Sequence, residues 1–240
     1  PLLLPRASAQ GTDLIFFGSG DGYVYALNAA NGNIVWKLRC DGPVYASPTL
    51  SPNQSVMYIG SHDSFLYAID VFSGEKLWAS SLGAPIESSS CVGADGHIFT
   101  GAKNGNMTAI DPEGRKVWSF STGRHAIVAN PALSESKGLL YVASKNMLVH
   151  ALNASSGALR WYAKIGQITD ASLRIDRGGY VVSAGSQGNI YALNGATGAL
   201  HFAVNTANGG RIYSNPLIPG DGQLAFAQDH GDIFLLEKIF

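Results

Sequence analysis

Short segments of alternating apolar and polar residues, separated by glycine and asparagine, run along the whole chain. The clearest lies in residues 18–36, where Tyr23 to Leu27 alternate and include aromatic and β-branched side chains, which favours a β-strand. The next five residues, Asn28 to Gly32, combine side chains that hydrogen-bond local backbone with a glycine that adopts positive φ, which is typical of a turn. A second strand follows and reaches Trp36. The stretch therefore predicts a β-hairpin.

The hairpin recurs at a regular spacing. Its opening turn position is occupied in succession, at intervals of 41 to 43 residues, by Gly22, Ser64, Gly105, Met147, Gly188 and Gly231. Each hairpin is preceded by a segment of small residues, such as Val44 to Leu50, and by an apolar segment, such as Val56 to Ile59. Four antiparallel strands repeated at about 40 residues predict the blade of a β-propeller.

The predicted fold is therefore an all-β propeller of six four-stranded antiparallel blades, forming one domain over residues 1–240. The last repeat ends before its fourth strand, so the last blade is expected to be incomplete. The six blades either close a ring or form an arc of a larger propeller. An incomplete blade leaves a sheet edge to which a partner could add.

Aromatic residues stand at one register of the fourth predicted strand. They are Trp36, Trp78, Trp118, Trp161 and Phe202. Because their spacing follows the repeats, we interpret them as structural anchors packed between neighbouring blades and not as a stack that holds a cofactor.

The pattern Gly-Ser-x-Asp-Gly-x-x-Tyr-Ala-Leu-Asn, seen at residues 18–28, resembles the repeat of the quinoprotein-dehydrogenase-like family of propellers, the PQQ-like repeat. That family includes pyrroloquinoline-quinone (PQQ) dehydrogenases. It also has non-enzymatic members, such as an outer-membrane assembly lipoprotein of Gram-negative bacteria and propellers attached to acyl-activating enzymes. The resemblance covers nearly the whole chain and implies the fold, an architecture shared with WD40 proteins. It does not imply a function, because function depends on the sites placed on a fold.

The resemblance implies adjacent cysteines and a calcium site of Glu, Asn and Asp for the dehydrogenases. Here Cys40 and Cys91 are far apart, and the acids Glu87 and Asp170 lie in no recognisable calcium motif. The six histidines show no metal-ligand spacing. We therefore expect the non-enzymatic branch, with no catalytic residue, cofactor or metal. A PQQ-dependent or other quinone-dependent dehydrogenase remains the alternative.

Charge and hydropathy narrow the choice of partner. The formal net charge is −1, so no basic field favours nucleic acid, and no apolar run approaches the ~18 residues that span a bilayer. The chain begins without Met and ends inside a repeat, so it is expected to belong to a longer chain or a complex. Its compartment and its partner do not follow from these residues.

The remaining candidate site is a surface, because in a propeller the loops before the inner strands and those after the second strands gather on one face. Tyrosine and arginine, which are favoured at binding hot spots, occur among them. The candidate residues are Tyr45, His62, Glu87, Arg124, His125, Asp170, Arg211, Tyr213 and His230. Our hypothesis is a scaffold or sensor module that binds a protein or peptide here. Two alternatives are a carbohydrate or small-molecule binder in the funnel and ordinary polar turns.

Overall fold

The computed structural model describes residues 1–5, 11–166, 171–206, 210–212, 215–218, 223–229 and 231–237. Within these residues the regular structure is β-strand, apart from one 3₁₀ helix at Glu135–Lys137. The chain divides into two compact units, Pro1–Arg124 and His125–Phe240. Whether the chain forms one domain, as the repeats suggest, stays a prediction.

The first unit contains three antiparallel sheets of four strands, each in simple sequence order. We call each sheet a blade. The first blade consists of β1 (Leu2–Leu4), β2 (Leu14–Gly18), β3 (Tyr23–Asn28) and β4 (Ile34–Arg39). The second consists of β5 (Thr49–Leu50), β6 (Val56–Gly60), β7 (Phe65–Asp70) and β8 (Lys76–Ser81). The third consists of β9 (Cys91–Val92), β10 (Ile98–Gly101), β11 (Asn106–Ile110) and β12 (Lys116–Ser121).

The second unit contains two more four-stranded blades and a two-stranded sheet. The fourth blade consists of β13 (Ala132–Ser134), β14 (Leu139–Ser144), β15 (Leu148–Asn153) and β16 (Leu159–Lys164). The fifth consists of β17 (Arg174–Ile175), β18 (Tyr180–Ala184), β19 (Asn189–Asn194) and β20 (Leu200–Asn205). The sixth pairs β21 (Gln223–Ala227) with β22 (Ile233–Glu237), and a single bridge from Leu217 to Ala225 marks its inner strand.

The turn between the third and fourth strands has the chemistry that the sequence predicts. In the second blade, Asp70 Oδ1 accepts hydrogen bonds from the backbone N–H of Phe72 and Ser73 at 3.0 and 2.8 Å. Gly74 closes the turn with φ +73°, a conformation that is strained for any side chain. The turn is thus stabilised by hydrogen bonds and a backbone conformation that depend only on the residues of the turn itself.

The inner strands are shorter than the sequence predicts. Of the segment from Val44 to Leu50, only Thr49 and Leu50 pair with β6. The start of the segment packs instead of pairing, since a Cβ on Gly18 would lie 2.3 Å from Val44 Cγ1. Likewise, a Cβ on Gly60 of the second blade would lie 2.2 Å from Cγ2 of Ile86, which belongs to the third blade. The glycines that end β2 and β6 thus make room for a branched side chain at the base of the next blade.

The tryptophans of the fourth strands reach across to the following blade within each unit. The indole N–H of Trp36 donates to Val71 O at 3.0 Å, and that of Trp78 donates to Pro112 O at 2.9 Å. Trp161 donates to Gly195 O at 3.0 Å in the second unit. Each indole also packs against the turn glycine of the blade it reaches, so a repeated contact joins these blades.

The other two aromatic residues at this register contact rings of their own blade. Trp118 lies 5.8 Å from Phe99 of its own blade, measured between ring centroids. Phe202 is half-buried on β20 and lies 5.9 Å from the ring of His201.

Candidate partner-binding site

Two repeated loops build the candidate site in the first unit. The loop after the second strand of a blade hydrogen-bonds to the segment before the inner strand of the same blade. His62 N–H donates to Pro43 O, and Lys103 N–H donates to Pro85 O, both at 2.9 Å. This backbone contact places His62 beside Tyr45 in the second blade and Lys103 beside Glu87 in the third.

The four side chains join across the two blades. The rings of Tyr45 and His62 meet edge to face, with centroids 4.9 Å apart and planes at 83°. His62 Nε2 lies 2.8 Å from Glu87 Oε1, and Lys103 Nζ donates to the same oxygen at 2.8 Å. We call Tyr45, His62, Glu87 and Lys103 the aromatic–charged cluster.

The cluster holds Glu87 as a carboxylate. Burial acts to raise the pKa of Glu87, but the hydrogen bonds and charges of Lys103 and His62 outweigh burial and lower it. Only Oε1 is used in these contacts, and among the described residues no donor reaches Oε2. Because the side chain is 28% exposed, that oxygen can accept a hydrogen bond from outside.

Tyr45 is the most exposed member of the cluster. Its relative exposure is 61%, although its ring meets that of His62 edge to face. In the part of the chain that is described, its hydroxyl has no hydrogen-bond partner. Tyr45 also lines an open pocket of about 480 Å³, whose walls include Pro1, Phe17, Ala46 and Ser47. The cluster therefore stands at the rim of a partly apolar groove.

The aspartate and asparagine side chains at the tips of the turns after the second strands are not part of this cluster. They accept hydrogen bonds from their own turns. Asp21 Oδ1 accepts from Tyr23 N–H at 3.0 Å and Oδ2 accepts from the Tyr25 hydroxyl at 2.7 Å, and the latter bond lowers the pKa of Asp21. Asp63 makes the same two contacts with the second blade. The corresponding turns of the third and fourth blades are capped in the same way by Asn104 and Asn146.

The other candidate residues that the structure describes are not part of the aromatic–charged cluster. Arg124 is exposed and has φ +66°, in a loop one residue longer than its counterparts before Val44 and Ile86. His125 is exposed at the start of the second unit. Arg211 N–H donates to Asp229 Oδ1 at 2.9 Å, and its side chain is exposed.

Three of the predicted site residues, Asp170, Tyr213 and His230, lie outside the described residues. The structure thus brings Tyr45, His62 and Glu87 together. Lys103 is not among the nine candidates chosen from the sequence. Its register was the available signal, because Lys103 stands one repeat after His62.

Among the described residues, no group of three or more His, Cys, Asp or Glu side chains could hold a metal ion. Cys40 and Cys91 form no disulfide bond. In the same residues, no helix has the length and apolar character needed to cross a membrane.

Comparison with known proteins identifies the repeats. The family model described as outer membrane protein assembly factor BamB matches residues 4–113 and 103–237, which together cover nearly all of the chain. The chain belongs to the BamB family. The resemblance to PQQ-like repeats seen in the sequence is thereby confirmed.

Individual BamB proteins agree with this assignment at low identity. Outer membrane protein assembly factor BamB of Yersinia pestis is 26% identical over 118 residues, which are 45% of this chain and 30% of that protein. The crystal structure of BamB from Moraxella catarrhalis matches with a TM-score of 0.78 and 16% identity, covering 99% of this chain and 74% of that one. This likeness confirms the predicted β-propeller fold. The sequence match spans less than a third of the Yersinia protein.

Proposed function

We propose that this BamB-family chain is a non-enzymatic propeller module that binds a polypeptide through the aromatic–charged cluster. The relatives are named as outer membrane protein assembly factors, and the proposed partner is a protein that takes part in that assembly. The observation that carries the proposal is Tyr45, a 61% exposed aromatic side chain held in place by His62 beside a carboxylate.

The chemistry of the cluster suits an extended polypeptide. The Tyr45 ring provides a flat apolar contact, and its hydroxyl can donate or accept a hydrogen bond. Glu87 Oε2 can accept a backbone N–H, while Lys103 can donate to a carbonyl. The hydrogen bonds on Glu87 Oε1 fix the carboxylate in advance, which reduces the entropy lost on binding.

A matched pair of tyrosine variants tests the proposal. Tyr162 on β16 is 64% exposed, close to the 61% of Tyr45, but lies outside the cluster. Partners are recovered from an outer-membrane assembly extract by affinity capture and quantified by mass spectrometry. We expect at least one assembly protein to be lost with Tyr45→Ala and retained with Tyr162→Ala, because aromatic anchors dominate binding energy.

A second capture uses Glu87→Gln, which keeps the shape of the side chain and removes its charge. Recovery of the same partner should fall with this variant as well. If Tyr45→Ala and Tyr162→Ala retain identical sets of proteins, the cluster is not the binding surface. If both lose the same partner, the effect is not specific to the cluster.

A further inference from the structure

A pocket of about 390 Å³ lies in the second unit, between the fourth blade and the hairpin turn of the fifth. Its polar wall consists of three side chains of the fourth blade, Lys137, Asn153 and Arg160, and its apolar wall includes Leu139 and Ala196. Among the described residues, no acidic side chain lines it. Two positive charges therefore face this space without a carboxylate beside them. We call it the fourth-blade pocket.

Asn153 can offer the pocket only its amide N–H groups. Its Oδ1 accepts hydrogen bonds from Ser155 Oγ at 2.8 Å, from Ser156 N–H at 2.9 Å and from Ser156 Oγ at 2.8 Å. These bonds occupy the oxygen and fix the orientation of the amide. In the described part of the chain no acceptor reaches Nδ2, so the third polar group of the wall is a donor as well.

The two cations are held differently. Lys137 ends the 3₁₀ helix, and its Nζ donates to Gly179 O at 3.2 Å. A Cβ at Gly179 would overlap this ammonium, so the glycine makes room for it. Arg160 is exposed on β16, and its guanidinium makes no hydrogen bond or ion pair with another described residue. Its N–H donors and those that remain on Lys137 are thus available to a ligand.

The repeat does not require these residue types. In the other blades the position of Arg160, next to the aromatic anchor, is occupied by Val35, Leu77, Val117 and His201. The position of Lys137, two residues before the strand that pairs with the turn, is occupied by Thr12, Gln54, Asp95 and Gly178. At the position of Asn153, the second and third blades have Asp70 and Asp111. The combination of two cations and an amide therefore belongs to the fourth blade and is not explained by the fold.

We propose that the fourth-blade pocket binds the phosphate group of a phosphate monoester. An arginine side chain donates to two phosphate oxygens at once, and a lysine binds phosphate as a point charge. Asn153 Nδ2 donates to a further oxygen. The two positive charges balance the charge of about −1.5 to −2 that a phosphate monoester carries at pH 7. Leu139 and Ala196 contact the carbon atoms next to the phosphate. A carboxylate, with two oxygens and one charge, would use fewer of these donors.

NMR of isotope-labelled chain 1–240 tests the proposal with glycerol 3-phosphate as the probe, at constant ionic strength. We expect saturable shifts of the Arg160 and Asn153 side-chain signals, with a Kd on the order of 1 mM because the ligand is small and the pocket is open. Acetate at the same concentrations should bind much more weakly. Sedimentation with vesicles of phosphatidylcholine, with and without phosphatidic acid, separates the two sources of a phosphate monoester. Binding that requires phosphatidic acid assigns a lipid headgroup, and binding of glycerol 3-phosphate alone assigns a soluble ester.

Three variants locate the binding. Arg160→Leu introduces the residue type that the second blade has at Leu77, and Asn153→Asp keeps the turn because Asp70 Oδ1 caps the equivalent turn. Lys164→Leu, at the exposed end of β16 and outside the pocket, changes the net charge as Arg160→Leu does and is the control. Arg160→Leu should weaken binding about tenfold or more, and Asn153→Asp should abolish it, since charged hydrogen bonds are lost or opposed. Lys164→Leu should bind as the unchanged chain does.

Three results would overturn the proposal. One is the absence of both a saturable shift with glycerol 3-phosphate and binding to phosphatidic acid. Another is equal affinity for acetate, which would assign a carboxylate to the pocket instead. The third is a loss of binding with Lys164→Leu as large as that with Arg160→Leu, which would mean that the phosphate responds to overall charge and not to this pocket.

Discussion

Substituting alanine for Gly74 should destabilise the chain far more than the same substitution at Gly32. Both glycines close the hairpin turn of their blade, and both have φ +73°. The cost of placing an L side chain in this conformation, about 1–2 kcal/mol, is therefore common to the two variants. The variants differ in the presence of Trp36 at Gly74.

The geometry sets the size of the difference. A Cβ on Gly74 would lie 2.6 Å from Trp36 Cδ2, 2.7 Å from Cγ and 2.9 Å from Cε3. Since carbon atoms pack at about 3.5–4.0 Å, the indole must retreat by roughly 1 Å. Overpacking of this kind costs about 1–3 kcal/mol. The 3.0 Å hydrogen bond to Val71 O is lost as well. That loss adds about 0.5–1.5 kcal/mol, so Gly74→Ala should exceed Gly32→Ala by about 2–4 kcal/mol.

Urea unfolding followed by far-ultraviolet circular dichroism measures the two free energies of unfolding in chain 1–240. Both residues belong to the first unit, so the same transition reports both variants. The comparison is then repeated with Trp36→Ala, where the contact is absent and the two glycine variants should cost the same. Equal costs in the wild-type background, or a difference that survives Trp36→Ala, would refute the assigned role of the indole.

Two further predictions concern titratable groups. Because the pKa of Glu87 is lowered in the folded chain, its stabilising contribution is present above the unfolded pKa of about 4.3 and disappears as pH falls through the folded value. Glu87→Gln should therefore lower stability at pH 7, by less than about 1 kcal/mol for so exposed a cluster, and have no effect near pH 2; a loss that does not depend on pH would contradict this. Burial, the largest cause, raises the pKa of Cys40 to about 12. At pH 8 its alkylation, followed by peptide mass spectrometry, should be much slower in the folded chain than in urea, and equal rates would contradict the burial.

The sequence predicts most of the fold because the repeat is local. Strand alternation, Asx turns and turn glycines all act within a few residues, so the register of Tyr23 to Trp36 is readable without packing information. The inner strands are shorter than the local pattern predicts, because that pattern shows which residues are buried but not which backbone groups pair. Small and apolar residues at Val44 and Ile86 indicate burial, but the structure uses them to pack over glycines instead of pairing.

The candidate site could be predicted only in part. The sequence indicated that Tyr45, His62 and Glu87 lie on the loop face, but not that His62 and Lys103 share one oxygen of Glu87. That arrangement depends on the distance between two blades, which no local pattern encodes. Conversely, the carboxylate of Asp21, at the tip of the first hairpin, accepts hydrogen bonds from its own turn.

These observations separate two classes of polar residue on the loop face. Aspartate or asparagine recurs at the turn tips of four blades because each caps its own turn, as Asp63 does for Phe65. The residues next to the inner strands do not recur: the second blade has Tyr45 and His62 where the third has Glu87 and Lys103. The fold does not require a particular side chain at these two positions, since the contact that places them is made by backbone atoms. The residue types at these positions can therefore vary to suit a partner without loss of the fold. In a repeat protein of this kind, we expect the binding surface at the positions that differ between repeats.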